Sequence, residues 1–232
     1  VTYQREENII AGKFDALLIC LPVQWLSSIE FIGDLRAPMA KHFAHYYHPG
    51  HYLRVACLFD TPFWIDALGD GSFFRLDAFG GCCVYNEGSR YDVGPYGVLN
   101  WLLAGSNAEA LANSDDDTII EKILNSLPGD LGRRAKAEVR ESKVHRWIGS
   151  VNGKPGGSPI ESIEDKHLVS PDHPNILVVG DYLFDSTING VLDSAELATH
   201  MLLENRDRAA PVRSNPAPSY PLSPRIKKLL RG

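Results

Sequence analysis

The chain has 232 residues, 44% hydrophobic and 22% charged, a composition that buries a core in one large domain or in two lobes. Its formal charge of -6 leaves no basic footprint for a polyanion and argues against nucleic acid as a partner. Four cysteines, Cys20, Cys57, Cys82 and Cys83, are too few for a disulfide scaffold and point to a reducing, cytoplasmic setting.

The longest apolar run, residues 16–26, is broken by Pro22 and Gln24. It is too short to cross a bilayer, and no basic stretch precedes it as in a signal peptide, so no membrane association is expected. The chain opens at Val1 in mid-pattern. It reads as a processed chain, a cut chain or one subunit of a split enzyme.

Residues 14–21 (FDALLICL), ended by Pro22, predict a short strand buried on both faces. Residues 27–44 read as loop followed by helix, and residues 52–59 predict a strand. Gly69, Gly71, Gly80 and Gly81 punctuate a region with strand candidates at residues 73–76 and 82–85. Residues 98–104 (VLNWLLA) predict a further strand. Ser114 to Asp117 offer a cap and acidic first-turn residues for a helix reaching about Leu127. In it Ile119, Ile120, Ile123, Leu124 and Leu127 fall at helical spacing. Residues 137–147 suit a strand and residues 152–159 (NGKPGGSP) a loop. Residues 176–179 predict a buried strand running straight into Gly180-Asp181, and residues 188–203 a helix. From Asp207 the chain turns Pro-rich and ends in RIKKLLRG, which reads as an extended tail. No internal repeat is visible.

The strand, Gly-Asp, loop and helix of residues 176–198 form the segment with the clearest chemistry. A ligand at the carboxyl end of a buried parallel strand sits where helix N-termini converge. Gly180 lets backbone approach a ligand, Asp181 can bond a hydroxyl-rich chain, and the helix opening near Thr187 can stabilise negative charge. A flavin asks for these three things. On local pattern alone, a plain strand–turn–helix unit with a capped helix fits equally well.

Here the sequence resembles the flavin amine oxidases, the group of L-amino-acid, monoamine and polyamine oxidases. Their chains end in an apolar strand, Gly-Glu, a loop and a Thr-Val/Ile-x-x-Gly helix opening. This chain has Gly180-Asp181 followed by Asp185-Ser186-Thr187-Ile188-Asn189-Gly190, with Asp181 in place of the commoner Glu. Residues 54–64 (RVACLFDTPFW) are similar to the family's Lys-Val-x-x-x-Phe-x-x-x-Phe-Trp stretch. Residues 14–22 (FDALLICLP) resemble its strand before Leu-Pro, and residues 144–157 (VHRWIGSVNGKPGG) its Trp and Pro-Gly loop. Four segments in one order, from Phe14 to Ala198, carry the resemblance.

The resemblance implies an α/β (α+β) fold that completes a two-lobe, FAD-binding architecture. Residues 1–36 and 162–205 would belong to the FAD domain, residues 37–161 to a mixed-sheet substrate lobe, and residues 206–232 to the tail. The implied reaction is oxidation of the C–N bond of an amine or amino acid, with hydride passing to the flavin and reoxidation by oxygen or another acceptor. FAD would be held by Gly180, Asp181, Ser186, Thr187, Ile188 and Asn189. Trp147, Tyr182 and Phe184 are the aromatic candidates for binding substrate. Arg54 stands where many family members have a lysine and is the catalytic candidate. Being a permanent fork donor, it could instead bind a substrate carboxylate or simply pair structurally. No Gly-x-Gly-x-x-Gly fingerprint occurs in the 232 residues. A second polypeptide supplying that pyrophosphate-binding half is therefore expected. Two other readings stay open: a carotenoid-type desaturase on the same scaffold, and a non-catalytic scaffold subunit of a flavoprotein complex.

Other patterns carry less. His42, His45, His48 and His51 recur every three residues, but Pro49-Gly50 breaks any helix between the last two, and no metal site is expected. Cys82-Cys83 lacks the spacing of a redox dithiol, and no Gly-x-Ser-x-Gly elbow supports a hydrolase.

Overall fold

The computed structural model describes residues 1–158, 165–209 and 224. In chain order its elements are β1 (Thr2–Arg5), β2 (Asn8–Ala11), β3 (Leu17–Ile19), α1 (Arg36–Tyr46), β4 (Pro49–Phe59), α2 (Ile65–Leu68), β5 (Phe73–Leu76), β6 (Cys82–Asn86), β7 (Gly97–Ala104), α3 (Gly105–Ala112), α4 (Asp116–Asn125), α5 (Leu131–Glu138), β8 (Val139–Asn152), β9 (Ile176–Val178) and α6 (Ile188–Ala209). The chain divides into two compact units, one of Val1–His48 with the segment from Asn152 onward, the other Pro49–Val151. The fold is thus the mixed helix-and-sheet arrangement expected. Among the described residues no helix is long and apolar enough to cross a membrane.

The unit Pro49–Val151 is built on a five-stranded sheet of order β5-β6-β7-β4-β8. Successive side chains of a strand point to opposite faces, and here the two faces differ in chemistry. Leu53, Val55, Cys57 and Phe59 of β4 join Leu99, Trp101 and Leu103 of β7 and Val84 of β6 in one buried cluster. Helices α3, α4 and α5 cover that face with Ala108, Leu111, Ile119, Ile123, Leu124 and Ala135. Trp101 is fully buried and its ring N–H donates to the Ser126 hydroxyl at 3.2 Å, so its polar atom is satisfied. The other face, with Arg54, Ala56, Tyr85, Asn100 and Leu102, is more open. β4 and β7 pair antiparallel from Tyr52↔Ala104 to Phe59↔Gly97, which sets those residues side by side.

α4 starts where the sequence places it. The Asp115 carboxylate accepts from the Thr118 N–H at 2.8 Å and so caps the first turn. The short helices α3 and α5 are not marked in the sequence, and β8 begins only at Val139 because residues 137 and 138 complete α5. α5 is mostly polar, with Gly132 and Ala135 its buried positions. A side chain at Gly132 would meet the Leu124 carbonyl at 2.9 Å, so α4 and α5 approach closely only because glycine stands there.

In the other unit, β3 and β9 pair in parallel, Leu17↔Ile176 to Ile19↔Val178. The strand expected over residues 14–21 is reduced to three residues, and it is not buried on both faces: Leu18 is 39% exposed. A two-stranded sheet covers one face of its residues and leaves the next in solvent. α1 belongs to this unit and not to the sheet lobe, since Met39 and Tyr46 pack with Ile19, Val23, Leu26, Val178, Tyr182 and Leu183. The β1–β2 hairpin was not anticipated; most of its residues are exposed, so it shows no burial alternation to read. α6 extends to Ala209, past the expected start of the tail at residue 206, and all the rest of the tail but residue 224, like residues 159–161 of the expected lobe, lies outside the described residues.

The centre of this unit is aromatic and imidazole-rich. The rings of His42 and Tyr46 lie 4.6 Å apart, and those of Tyr46 and Tyr182 5.5 Å. Among the described residues neither His42 Nε2 nor the Tyr182 hydroxyl has a hydrogen-bond partner, although both are buried. Burial first, and then the charges of His45 and His167, push His42 down to about 3; burial pushes His167 down to about 4, against the pull of Asp165.

Two outcomes follow for stability. Ile123→Ala, at a fully buried α4 position, should cost about 2–5 kcal/mol in urea unfolding of the chain. The histidines give a pH dependence whose sign is fixed. Unfolded, they bind protons near a pH of about 6.5; folded, His42 and His167 do so only near 3 and 4. Their effect is therefore absent above about pH 6.5, and stability falls as the pH drops toward 4 and 3. Thermal unfolding across that range should show His42→Phe losing less Tm on acidification than the parent chain.

Candidate functional site

The strand-to-helix junction of residues 178–191 is tied together by short-range bonds. The Val179 N–H donates to the Ile19 carbonyl at 3.0 Å, which extends the parallel pairing one step past β9. Gly180 then lies in extended backbone, and its N–H donates to the Ser194 hydroxyl of α6 at 2.9 Å. His167 Nε2 lies 3.1 Å from the Ser194 carbonyl and 3.2 Å from its hydroxyl. Ser194 is fully buried, so strand end, imidazole and helix share one dry polar knot. A side chain at Gly180 would overlap the Tyr182 ring, so only glycine fits.

Residues Asp181–Leu183 make a single 3-10 turn. The half-buried Asp181 carboxyl is raised above the usual carboxylate range by burial, opposed by backbone bonds from Tyr182 and its own N–H. The Ser186 hydroxyl donates to the Asn152 carbonyl at 2.7 Å and holds the loop to the end of β8. Thr187 caps α6: its hydroxyl oxygen accepts the Gly190 N–H at 3.1 Å, and its carbonyl accepts the Val191 N–H at 3.1 Å. A side chain at Gly190 would overlap the Asp185 carbonyl, which makes the loop-to-helix turn a glycine position too.

The residues at the opening of α6 face outward. Ile188 is 81% exposed and Leu192 61%, and Asn189 and Val191 are exposed beside them. The junction therefore presents a helix N-terminus fringed by apolar side chains, with Gly180 and Asp181 at the strand end. A planar, largely apolar ring that gains negative charge fits such a surface, and a polyhydroxylated chain fits the Asp181 carboxyl. Gly180, Asp181, Ser186, Thr187, Ile188 and Asn189 all belong to this one segment.

The aromatic candidates separate. Tyr182 is 1% exposed and packs on Tyr46 in the unit's core, which leaves its ring no face for a substrate. It is a core residue. Phe184 is partly exposed, with its ring 5.5 Å from that of His167 and 4.8 Å from Lys166 Nζ. Trp147 lies in the other unit, on β8, stacked on His145 at 5.5 Å. The evenly spaced histidines do not converge on a metal: His42 and His45 are buried on α1, whereas His51 accepts the Gly149 N–H at 3.2 Å. Among the described residues no three metal-ligating side chains converge.

Arg54 lies on the open face of the five-stranded sheet. Its Nε donates to Asn100 Oδ1 at 2.9 Å and its Nη2 sits 3.4 Å from Glu87 Oε1. Asn100 Nδ2 donates to the same Glu87 oxygen at 2.9 Å. With Tyr85, Arg90 and Leu102 these residues line a cleft of about 360 Å³. Sequence reasoning found Arg54 but not Glu87, Arg90 or Asn100, nor Ser194, His167 and Asn152 at the other junction. Gly190 carried a signal in the Thr-x-x-Gly spacing. The others carry none, since each acts through a contact made by folding.

The chain was compared with known proteins. The model of the family described as flavin containing amine oxidoreductase matches residues 1–202. No curated protein matches the sequence. Among solved structures the fold is similar to cyclohexylamine oxidase from Brevibacterium oxydans, with TM-score 0.62 and 15% identity over 85% of this chain and 46% of that one. It is also similar to an engineered putrescine oxidase, with TM-score 0.54 and 14% identity over 82% of this chain and 43% of that one. The chain thus spans less than half the length of these two structures. A match over residues 1–202 of 232, on a fold shared with two oxidases, is decisive: the chain belongs to the flavin-containing amine oxidoreductases, whose cofactor is FAD.

Proposed function

We propose that this chain contributes the ring-facing end of an FAD site, and a substrate lobe, to an oxidoreductase acting on the C–N bond of an amine or amino acid. The junction at residues 178–191 carries the reading. Held there, FAD would supply the two-electron oxidation of the C–N bond. The protein's part is positional. Gly180 allows close approach of backbone, Asp181 offers a carboxylate to hydroxyls, and Thr187 fixes the helix opening so that its first N–H groups point at developing negative charge. A neutral amine is already the reactive form, so no strong side-chain base is required.

The dinucleotide fingerprint is not among the 232 residues, and the exposed apolar fringe of Ile188, Val191 and Leu192 has the character of a surface that another polypeptide covers. We propose that this surface packs against a pyrophosphate-binding half lying outside these residues, as on a second polypeptide. The unpaired cysteines favour a reducing, cytoplasmic compartment. A desaturase acting on a polyene would need a greasy channel, whereas the open sheet face carries Arg54, Glu87 and Asn100; this favours a polar substrate. A non-catalytic scaffold is distinguished by experiment.

The complex isolated with its partner should show visible flavin absorbance, bleached under anaerobic conditions by amines or amino acids and not by polyenes. Absence of flavin from that complex would overturn the enzyme reading. Asp181→Ala should lower flavin affinity by roughly ten- to a hundredfold, the worth of a hydrogen bond to a charged group, with circular dichroism unchanged. Gly190→Ala should reduce the flavin-to-protein ratio further, because the added carbon displaces the Asp185 carbonyl that shapes the helix opening.

A further inference from the structure

The cleft on the open face of the five-stranded sheet is unbalanced in charge. Two guanidinium groups, Arg54 and Arg90, line it together with one carboxylate, Glu87. Arg54 is held in place from one side only. Asn100 Oδ1 takes its Nε–H, and Glu87 Oε1 lies within reach of Nη2. Asn100 is itself 2% exposed and bonded to Glu87, so this bracket is rigid. A guanidinium is a planar fork of donors, and the Nη1 edge of Arg54 has no acceptor among the described residues. Arg90 lies with its guanidinium carbon 5.7 Å from the centre of the Tyr85 ring and makes no ion pair among the described residues. The ring of Tyr85 and the side chain of Leu102 add apolar surface to the same cleft. Its volume of about 360 Å³ lies within the range of small-ligand sites.

We propose that this cleft binds the carboxylate of a small organic anion, held by the free edge of Arg54 and closed over by Arg90, with the carbon skeleton against Tyr85 and Leu102. The chemistry favours a carboxylate for two reasons. Its two oxygens match a guanidinium edge in a bidentate pair, and the cleft's excess positive charge repels a ligand that is only a cation. Glu87 and Asn100 are positioning residues that aim Arg54. Joined to the amine-oxidation reading, on which this last step rests, the substrate becomes an amino acid and not a simple alkylamine.

The binding part is testable without flavin. The full chain is titrated with benzoate and with benzylamine, probes of similar shape and opposite charge, while tyrosine and tryptophan fluorescence is followed. Benzoate should saturate and benzylamine should not. Arg54→Gln and Arg90→Gln should each weaken benzoate by about tenfold or more, and Arg54→Lys should retain part of the affinity. Arg90 is exposed, so its variant keeps the fold, which circular dichroism verifies. Equal binding of the two probes, no saturation by benzoate, or an unchanged affinity in Arg90→Gln would each sink the proposal. In the flavin-containing complex, Arg90→Gln should lower kcat/KM for phenylalanine by about tenfold and should not lower that for phenethylamine; equal losses would remove the amino-acid assignment. A complex without flavin would end the oxidase reading and leave the benzoate result standing, so the two ideas fail separately.

Discussion

The strand-to-helix junction of residues 178–191 depends on one hydrogen bond, from the Gly180 backbone to the Ser194 hydroxyl at 2.9 Å. A strand end and a helix flank cannot share backbone bonds, so a side chain must join them. Ser194 is fully buried and would be costly if unpartnered. It is doubly engaged instead, by the Gly180 N–H and by His167 Nε2. The imidazole meets both the carbonyl and the hydroxyl of Ser194, and its depressed protonation keeps it a neutral partner in a dry site. With that knot in place, the 3-10 turn after Gly180 has one exit, and Thr187 begins α6 a fixed distance from the strand.

In the sheet unit the governing constraint is the two-residue period of a strand. Leu53, Val55, Cys57 and Phe59 fill the core, so the residues between them must face the other way. That parity puts Arg54 on the open face, and the register Ala56↔Asn100 with Tyr85↔Asn100 brings Asn100 and Tyr85 to the same face. A one-residue slip would bury the arginine and expose the core. Binding chemistry and stability are thus two faces of the same pleat. The tightly packed face gives the precision with which Asn100 can aim a guanidinium.

The two units solve different problems with the same economy of residues. At the junction, glycines at 180 and 190 let backbone and ring approach where any side chain would overlap. In the cleft, one buried amide holds a flexible arginine at its Nε and leaves its far edge open. In both cases an ordinary polar residue, Ser194 or Asn100, holds its neighbour, Gly180 or Arg54, in place.

Much of this was legible in the chain. The strands of residues 52–59, 73–76, 82–85 and 98–104 and the helix after Asp115 announce themselves because alternation, helical spacing and capping are properties of neighbours. The Thr187-to-Gly190 cap is readable for the same reason, and with the Gly180-Asp181 pair it carries the family resemblance. The short helices α3 and α5 left little trace, since so few of their residues are buried that tertiary packing and not periodicity stabilises them. Tyr182, next to Asp181 and aromatic, looked like a wall of the site; its burial against Tyr46 depends on α1, far away in sequence. What the sequence by itself determined was the strand, Gly-Asp and capped-helix segment that carries the family resemblance, because that depends on residues within a few positions of one another. Only the tertiary structure decided that Ser194 and His167 lock that segment and that Asn100 and Glu87 aim Arg54, because those contacts join residues from 14 to 46 positions apart and exist only once the chain has folded.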